Sequence, residues 1–387
     1  MLKPHAPRSR WTGWQMSRNS KLDSGEAVGS IIIIIVVMLV VSTTLNYSAS
    51  NAPESSGTTS TTSSSAPTHS TSTSSSTTSS ASAGVLAWSA SPNYPTDIWT
   101  NSCVESGEYI YCIGGLTGAN TGADATDAVY YGPISSSGIG SWTSTTAYPT
   151  TIRSETCVTD TSSIYCIGGY TNTTLTDAVY YAPISSSGVG AWTNTTGYPF
   201  PVWLTSCVVY GGGVYCVGGG TSESSLSSAD SVYFAPFTSS GVGQWTNTTS
   251  YPVAVKQQSC VSYSNDIYCV GGYLSTSVYY APLSTTGVGT WTNTTGYPFT
   301  VGANLLSCVT MGDQVFCVGG HTGAFVSSDV YYASLSPSGV GGWVSATSYP
   351  VAVFGESCVA SGVRIYCIGG ETASGSIVDA SYASYAS

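Results

Sequence analysis

The chain predicts an all-β fold of six tandem units, four short strands in each, and three periodic marks carry that reading. Trp followed six residues later by Tyr-Pro recurs at Trp88, Trp142, Trp192, Trp245, Trp291 and Trp343. In step with these come six Cys pairs, Cys103/Cys112, Cys157/Cys166, Cys207/Cys216, Cys260/Cys269, Cys308/Cys317 and Cys358/Cys367, always with eight residues between partners. Each second Cys leads into a Gly-Gly doublet, from Gly114-Gly115 to Gly369-Gly370. A fixed period near 50 residues is the mark of a repeat architecture, in which each unit buries its apolar face only against its neighbours.

Before the repeats come three segments of different composition. Residues 1–26 form a basic N-terminus holding Lys3, Arg8, Arg10, Arg18 and Lys21, five of the eight Lys and Arg in the chain. Residues 27–45 begin with the apolar run "AVGSIIIIIVVMLVV" at Ala27–Val41. A helix through this segment reaches roughly 22–28 Å at about 1.5 Å per residue, enough for a membrane anchor. The basic flank places its N-terminal side in the cytoplasm and everything after it outside. Three fates are open: an uncleaved signal anchor, release as a secreted protein by cleavage near "SAS" at Ser48–Ser50, or processing as a prepilin, since "SKLDSGEAVGSIIIII" resembles a prepilin leader and its filament-forming helix. Residues 46–83 are almost entirely Ser and Thr, too poor in apolar surface to offset ordering, and read as a disordered, O-glycosylated stalk.

From residue 84 to 387 each unit reads as a Cys-Val strand, a strand such as "IYCIGG", an aromatic strand such as "AVYYAP" and a Trp strand such as "WTNTT". They are rich in β-branched and aromatic residues and punctuated by Gly, Ser and Pro. Gly-Gly after the second strand, Tyr in the third and Trp in the fourth resemble the kelch repeat over about four-fifths of the chain. The resemblance implies a six-bladed β-propeller. Trp88 precedes the first Cys pair and the last unit has no Trp of its own, so the N-terminal segment "VLAWSASPNYP" is expected to supply the outer strand of the sixth blade and close the ring.

Pairing the two Cys strands inward from each Cys pair leaves two-residue turns, with Gly first in four of six, as in Gly107-Glu108 and Gly312-Asp313. That suits a type II′ hairpin and puts each Cys pair at a non-hydrogen-bonded position, about 4.5 Å between Cα atoms, which a disulfide spans. Metal is the rival: C-x8-C lacks zinc-knuckle spacing, and of three His only His321 lies in the repeats, so neither metal nor cofactor is expected. Disulfides fit an exported chain, and few charges with abundant Ser, Thr and Tyr suggest an acidic habitat.

Beyond Val41 stand 17 acids and 3 bases (Arg153, Lys256, Arg364), a formal balance of −14 that excludes a generic nucleic-acid binder. Loops joining strands one to two and three to four share one face and keep constant lengths. Loops on the other face vary, from five residues between Gly272 and Val278 to thirteen between Gly115 and Val129, and recognition is expected there, on the face turned away from the cell. Four residues before each first Cys, where kelch repeats often carry Arg, stand Trp99, Arg153, Trp203, Lys256, Asn304 and Phe354. With His321 they are the candidate ligand-binding residues, since aromatic faces stack on sugar rings while cations and amides fix orientation. The alternative is that these rings pack the channel top and the cations pair with acids.

No catalytic motif emerges. Among kelch-like enzymes, the copper oxidases need two His where His321 is single, and the sialidase Asp box is broken in "SSSGVGAW" at Ser187 and Val189. A sugar epimerase or mutarotase using Arg153 with Glu223 or Glu371 as base is the enzymatic alternative. Sequons stand at Asn46, Asn172, Asn194, Asn247 and Asn293. The expected protein is thus a membrane-anchored, cell-surface binding or adhesion module whose partner is a glycan or a surface protein. A filament or surface-coat subunit is the structural alternative.

Overall fold

The computed structural model describes residues 86–118, 125–223, 227–378 and 381–386. The chain divides into two units, Met1–Thr77 and Thr78–Ser387. The first lies outside the described residues, as do the membrane-segment, stalk and Asn46 readings; no helix among the described residues is long and apolar enough to cross a membrane.

The fold is an all-β propeller. Its first strand, β1 (Leu86–Ser91), stands apart in sequence from the blade that follows: β2 (Ser102–Ser106), β3 (Tyr109–Ile113), β4 (Val129–Ser135), β5 (Gly138–Ile139) and β6 (Thr143–Ser144). Five five-stranded antiparallel blades are each contained in one repeat, and a four-stranded sheet stands between the last and the first. That closing sheet runs β1, Ser381–Ala386, Arg364–Ile368, Ser357–Ser361, joining the two ends of the described chain. The expectation of six like blades with four strands each is corrected in both respects. The complete blades number five, and each has five strands because its outer strand is broken in two.

The break is a β-bulge. In the first blade Ile139 faces Ile134 and Thr143 faces Tyr131, so four steps on the outer strand match three on its neighbour. Gly140 N–H closes the bulge on Pro133 O at 2.7 Å, and Gly190, Gly243, Gly289 and Gly341 repeat the bond. β1 has no such insertion: its six residues pair continuously from Leu86↔Ala386 to Ser91↔Ser381.

Period-2 alternation sends one side of each sheet toward one neighbour and the other side toward the next. Between the third and fourth blades Val208, Tyr215, Val217 and Phe234 pack on Cys260, Ile267, Cys269 and Ala281. The same pattern fills every seam, including that where Val359, Tyr366 and Ile368 of the closing sheet meet Cys103, Ile110 and Cys112.

All six disulfides form as paired, Cys103–Cys112, Cys157–Cys166, Cys207–Cys216, Cys260–Cys269, Cys308–Cys317 and Cys358–Cys367, with Cα–Cα distances of 4.0–4.1 Å. The second partner of each, Cys112, Cys166, Cys216, Cys269, Cys317 and Cys367, is 0% exposed. These six are therefore core residues of the inter-sheet seams and present no sulfur to either face of the ring. Their burial follows from register: each stands on the second strand, covered by its own sheet and by the next. The second blade's turn departs from the expected hairpin, because the Asp160 carboxylate accepts N–H groups from Ser162 and Ser163 at 2.7 and 2.8 Å.

The Trp and Tyr-Pro marks are one joint seen from two repeats. Tyr148 meets Trp192 edge-on at 4.9 Å, and Tyr349 and Tyr94 make the same contact with Trp88 and Trp142 at 5.0 Å across the closure. Each such ring pair adds about 0.5–1.5 kcal/mol beyond burial.

Candidate functional site

The variable loops are held by three structures that converge on the ring axis. The first is the Gly-Gly doublet. A β-carbon on Gly271 (φ +70°) would stand 2.5 Å from the carbonyl oxygen of Ala303 in the next blade, and one on Gly272 would stand 2.6 Å from Val255 Cγ2. Only glycine lets strand two approach the incoming loop so closely.

The second is a backbone collar. Thr100, Ser154, Leu204, Gln257, Leu305 and Gly355 all have positive φ, between 51° and 67°. Each donates its N–H to the carbonyl of its counterpart in the preceding unit at 2.8–3.1 Å, from Ser154 on Thr100 round to Thr100 on Gly355. The circle holds non-glycine residues in a conformation costing about 1 kcal/mol or more each. A cavity of about 120 Å³ lies beneath it.

The third is a ring of hydroxyls one residue before each first Cys. Ser357, Ser102, Ser206, Ser259 and Ser307 accept the N–H of Cys103, Cys157, Cys260, Cys308 and Cys358 at 2.9–3.0 Å, while Thr156 donates to Thr205 O at 2.5 Å. The Ser/Thr-Cys dipeptide recurs in all six units, a signal that reading the Cys alone passes over.

Above the collar, the candidates pair across a narrow ladder with the residue after each doublet: Trp99 with Leu116, Arg153 with Tyr170, Trp203 with Gly220, Asn304 with His321 and Phe354 with Glu371. Their side chains sort into three groups. In the first, the Arg153 guanidinium lies 4.5 Å from the Tyr170 ring centre and 5.5 Å from that of Trp203. Lys256 Nζ lies 5.7 Å from Trp203 and 5.8 Å from Tyr273, and donates to Ser227 O at 3.4 Å. Tyr170 O–H donates to Glu223 Oε1 at 2.6 Å, which raises the phenol's pKa, while burial lowers those of Arg153 and Lys256. Arg153, Tyr170 and Trp203 are partly exposed and Glu223 exposed, but Lys256 is buried.

The second group is apolar. Trp99 is buried against Phe354, 5.6 Å between ring centres, with Leu116 and Ala125. His321 meets the edge of Phe354 at 5.7 Å, and burial raises the Glu371 carboxyl. In the third group, Asn304 is buried and its Oδ1 accepts the N–H of Leu274 at 3.0 Å. Leu274 sits at φ 57°, its side chain more than half exposed, as are those of Val301 and Phe325 on neighbouring loops. Tyr170, Tyr273 and Leu274 lie outside the seven sequence candidates. Their signal is position, in the first two residues after the Gly-Gly doublet, which becomes visible only once that doublet is known to abut the incoming loop.

Beside the collar, Glu155 and Glu356 are buried, and no side chain among the described residues hydrogen-bonds either carboxyl; only backbone N–H groups, of Glu155 itself in the first case and of Glu356 and Ser307 in the second, lie near enough to favour the charged form. Their side chains run outward into the seams: Glu155 Oε1 lies 2.7 Å from where a β-carbon on Gly114 would stand, and Glu356 Oε1 2.8 Å from that on Gly319. Burial raises both acids, Glu155 to about 8. Gln258, at the same ring position, donates Nε2–H to Val217 O at 2.7 Å, so the position favours a donor, which a neutral carboxyl supplies.

The opposite face carries a concavity of about 430 Å³ walled by Val104, Val158, Val208, Val261, Val309 and Val359. A second, of about 670 Å³, is bordered by Glu105, Asp160 and Phe237. Among the described residues no group of three or more His, Cys, Asp or Glu could hold a metal ion. Asn172, Asn194, Asn247 and Asn293 are exposed, the last three on the outermost strand of three successive blades.

No protein-family model matches the chain, and no curated protein matches it. Its fold does recur among solved structures, where 805 chains are similar. One, described as the structure of YjhT, superposes with a TM-score of 0.62 at 14% identity over 75% of this chain and 95% of that one. Identity that low shows a shared propeller fold and carries no site or activity across.

Proposed function

We propose that this chain is a kelch-type, cell-surface binding module that recognises anionic glycans through the variable-loop face, at the Arg153–Trp203 ladder. One observation carries the reading. Of three basic residues beyond Val41, two stand on either side of Trp203, in a chain otherwise strongly acidic. Partly exposed Tyr170 and Trp203 offer faces for a pyranose ring, and Arg153 offers a bidentate partner for a carboxylate or sulfate. The valine-walled concavity opposite, which also includes Glu105, Thr159, Ser262 and Thr310, is lined by no cation or aromatic ring for an anionic sugar. The six disulfides and the basic flank before residues 27–45 support an exported domain on a membrane anchor. The exposed sequons support N-glycosylation of its rim.

The test is a glycan array probed with the parent and with Trp203→Ala and Arg153→Ala. The parent is expected to retain acidic glycans, and both variants to lose them at least tenfold. Equal retention by all three overturns the reading. Trp99 is a poor test residue because its removal opens a core. The Tyr170–Glu223 hydrogen bond beside Arg153 favours a sugar mutarotase as second reading. Saturation-transfer NMR on free reducing acidic sugars would show anomeric exchange accelerated by the parent and not by Glu223→Gln.

A further inference from the structure

We propose that β1 is an open sheet edge through which two copies of this chain pair, antiparallel β1 to β1, into one continuous eight-stranded sheet. A sheet edge exposes a row of backbone donors and acceptors, and proteins that stay apart blunt it with interruptions, charge or covering groups. The five complete blades all do so. Each outer strand is cut by a bulge into two-residue pieces, and three of these carry an exposed sequon at Asn194, Asn247 or Asn293.

Among the described residues the closing sheet does none of this. β1 is a single strand, "LAWSAS", without charge, Gly, Pro, bulge or sequon. Leu86 and Ser91 are buried and anchor its ends, Ser91 Oγ accepting the N–H of Ile139 at 3.1 Å. Between them Ala87, Ser89 and Ala90 are exposed, small enough for another backbone to approach.

The occupant that fits is a second copy. An antiparallel strand is its own complement under a two-fold axis, and such a contact closes on itself, giving dimers rather than fibres. Charge points the same way. A chain of net charge −11 repels its copies over most of its surface, and β1 puts no like charge on the seam.

The test is sedimentation of the full-length chain in detergent, together with hydrogen exchange of the wild type over a range of concentrations. A concentration-dependent dimer is expected, with the amides of Trp88 and Ala90, which the register turns to the open edge, gaining protection as it forms. Ala90→Lys should weaken the dimer at least tenfold, while Thr292→Lys, on a bulged edge, should leave it unchanged. A wild type that stays monomeric, a dimer without protection at β1, or an Ala90→Lys dimer as tight as the wild type overturns the proposal. Should Ala90→Lys fail to fold, the exchange measurement on the wild type decides alone.

Discussion

Raising the pH from mildly acidic to mildly alkaline should destabilise this propeller, because two seams are built on neutral glutamic acids. Glu155 sits near the Tyr94 and Tyr148 phenols, and Glu356 near those of Tyr297 and Tyr349. Burial holds Glu155 protonated up to about pH 8, against an ordinary value of 4.5. The folded state therefore binds more protons than the unfolded state between those values, and stability falls as pH rises. The stabilisation is complete below the unfolded pKa and is lost through the folded one. At about 1.36 kcal/mol per pKa unit, this group alone removes on the order of 5 kcal/mol between pH 4.5 and 8. Glu356 adds in the same direction. Guanidinium unfolding from pH 4 to 9 measures the effect, with midpoints expected to drop steadily above pH 5. Glu155→Gln with Glu356→Gln, which installs the donor that Gln258 uses, should flatten the profile and raise stability at pH 8. A wild type insensitive between pH 5 and 8, or a double variant keeping the full slope, would refute the reasoning.

Other perturbations separate the joints. Gly271→Ala meets the Ala303 carbonyl and should cost roughly 2–3 kcal/mol, whereas Gly212→Ala, also at positive φ but with nothing within 4 Å, should cost about 1 kcal/mol by thermal unfolding. Ser259→Ala leaves the Cys308 N–H without its acceptor and should cost about 1–3 kcal/mol in denaturant; an unchanged midpoint would show that the hydroxyl ring is dispensable. The second Cys of every pair is fully buried, so a reductant should leave the disulfides intact in the native protein and release twelve thiols after unfolding, counted by alkylation and mass spectrometry. Cys260→Ser with Cys269→Ser closes one loop fewer and should lower stability by about 2–3 kcal/mol.

Much of the architecture was legible because its causes are local and repeated. Alternation with period 2 sets which side chains share a seam, and eight residues between Cys partners set hairpin register, so the strand partners and disulfides follow from counting. Counting did not tell that Cys166, Cys216, Cys317 and Cys367 would be sealed between sheets, since that depends on the neighbouring blade. The displaced Trp88 did foretell that the two ends of the repeat region share a sheet. The missing bulge was legible too, in "LAW" against "VGAW", but its meaning needed the register on both sides.

The site was less legible, since a ring position says which residues circle the axis and not which way they point. Trp99, Lys256 and Asn304 turn inward and are covered, Arg153 and Trp203 stay within reach of solvent, and Glu155 and Glu356 run outward into seams. Sequence by itself determined the repeat, the strand register, the sulfur pairs and the closure, all consequences of spacing along one strand or hairpin. Only the tertiary structure decided the backbone collar, the buried acids and the company of Trp203, because each is made by residues about fifty positions apart whose meeting depends on how sheets pack around a common axis.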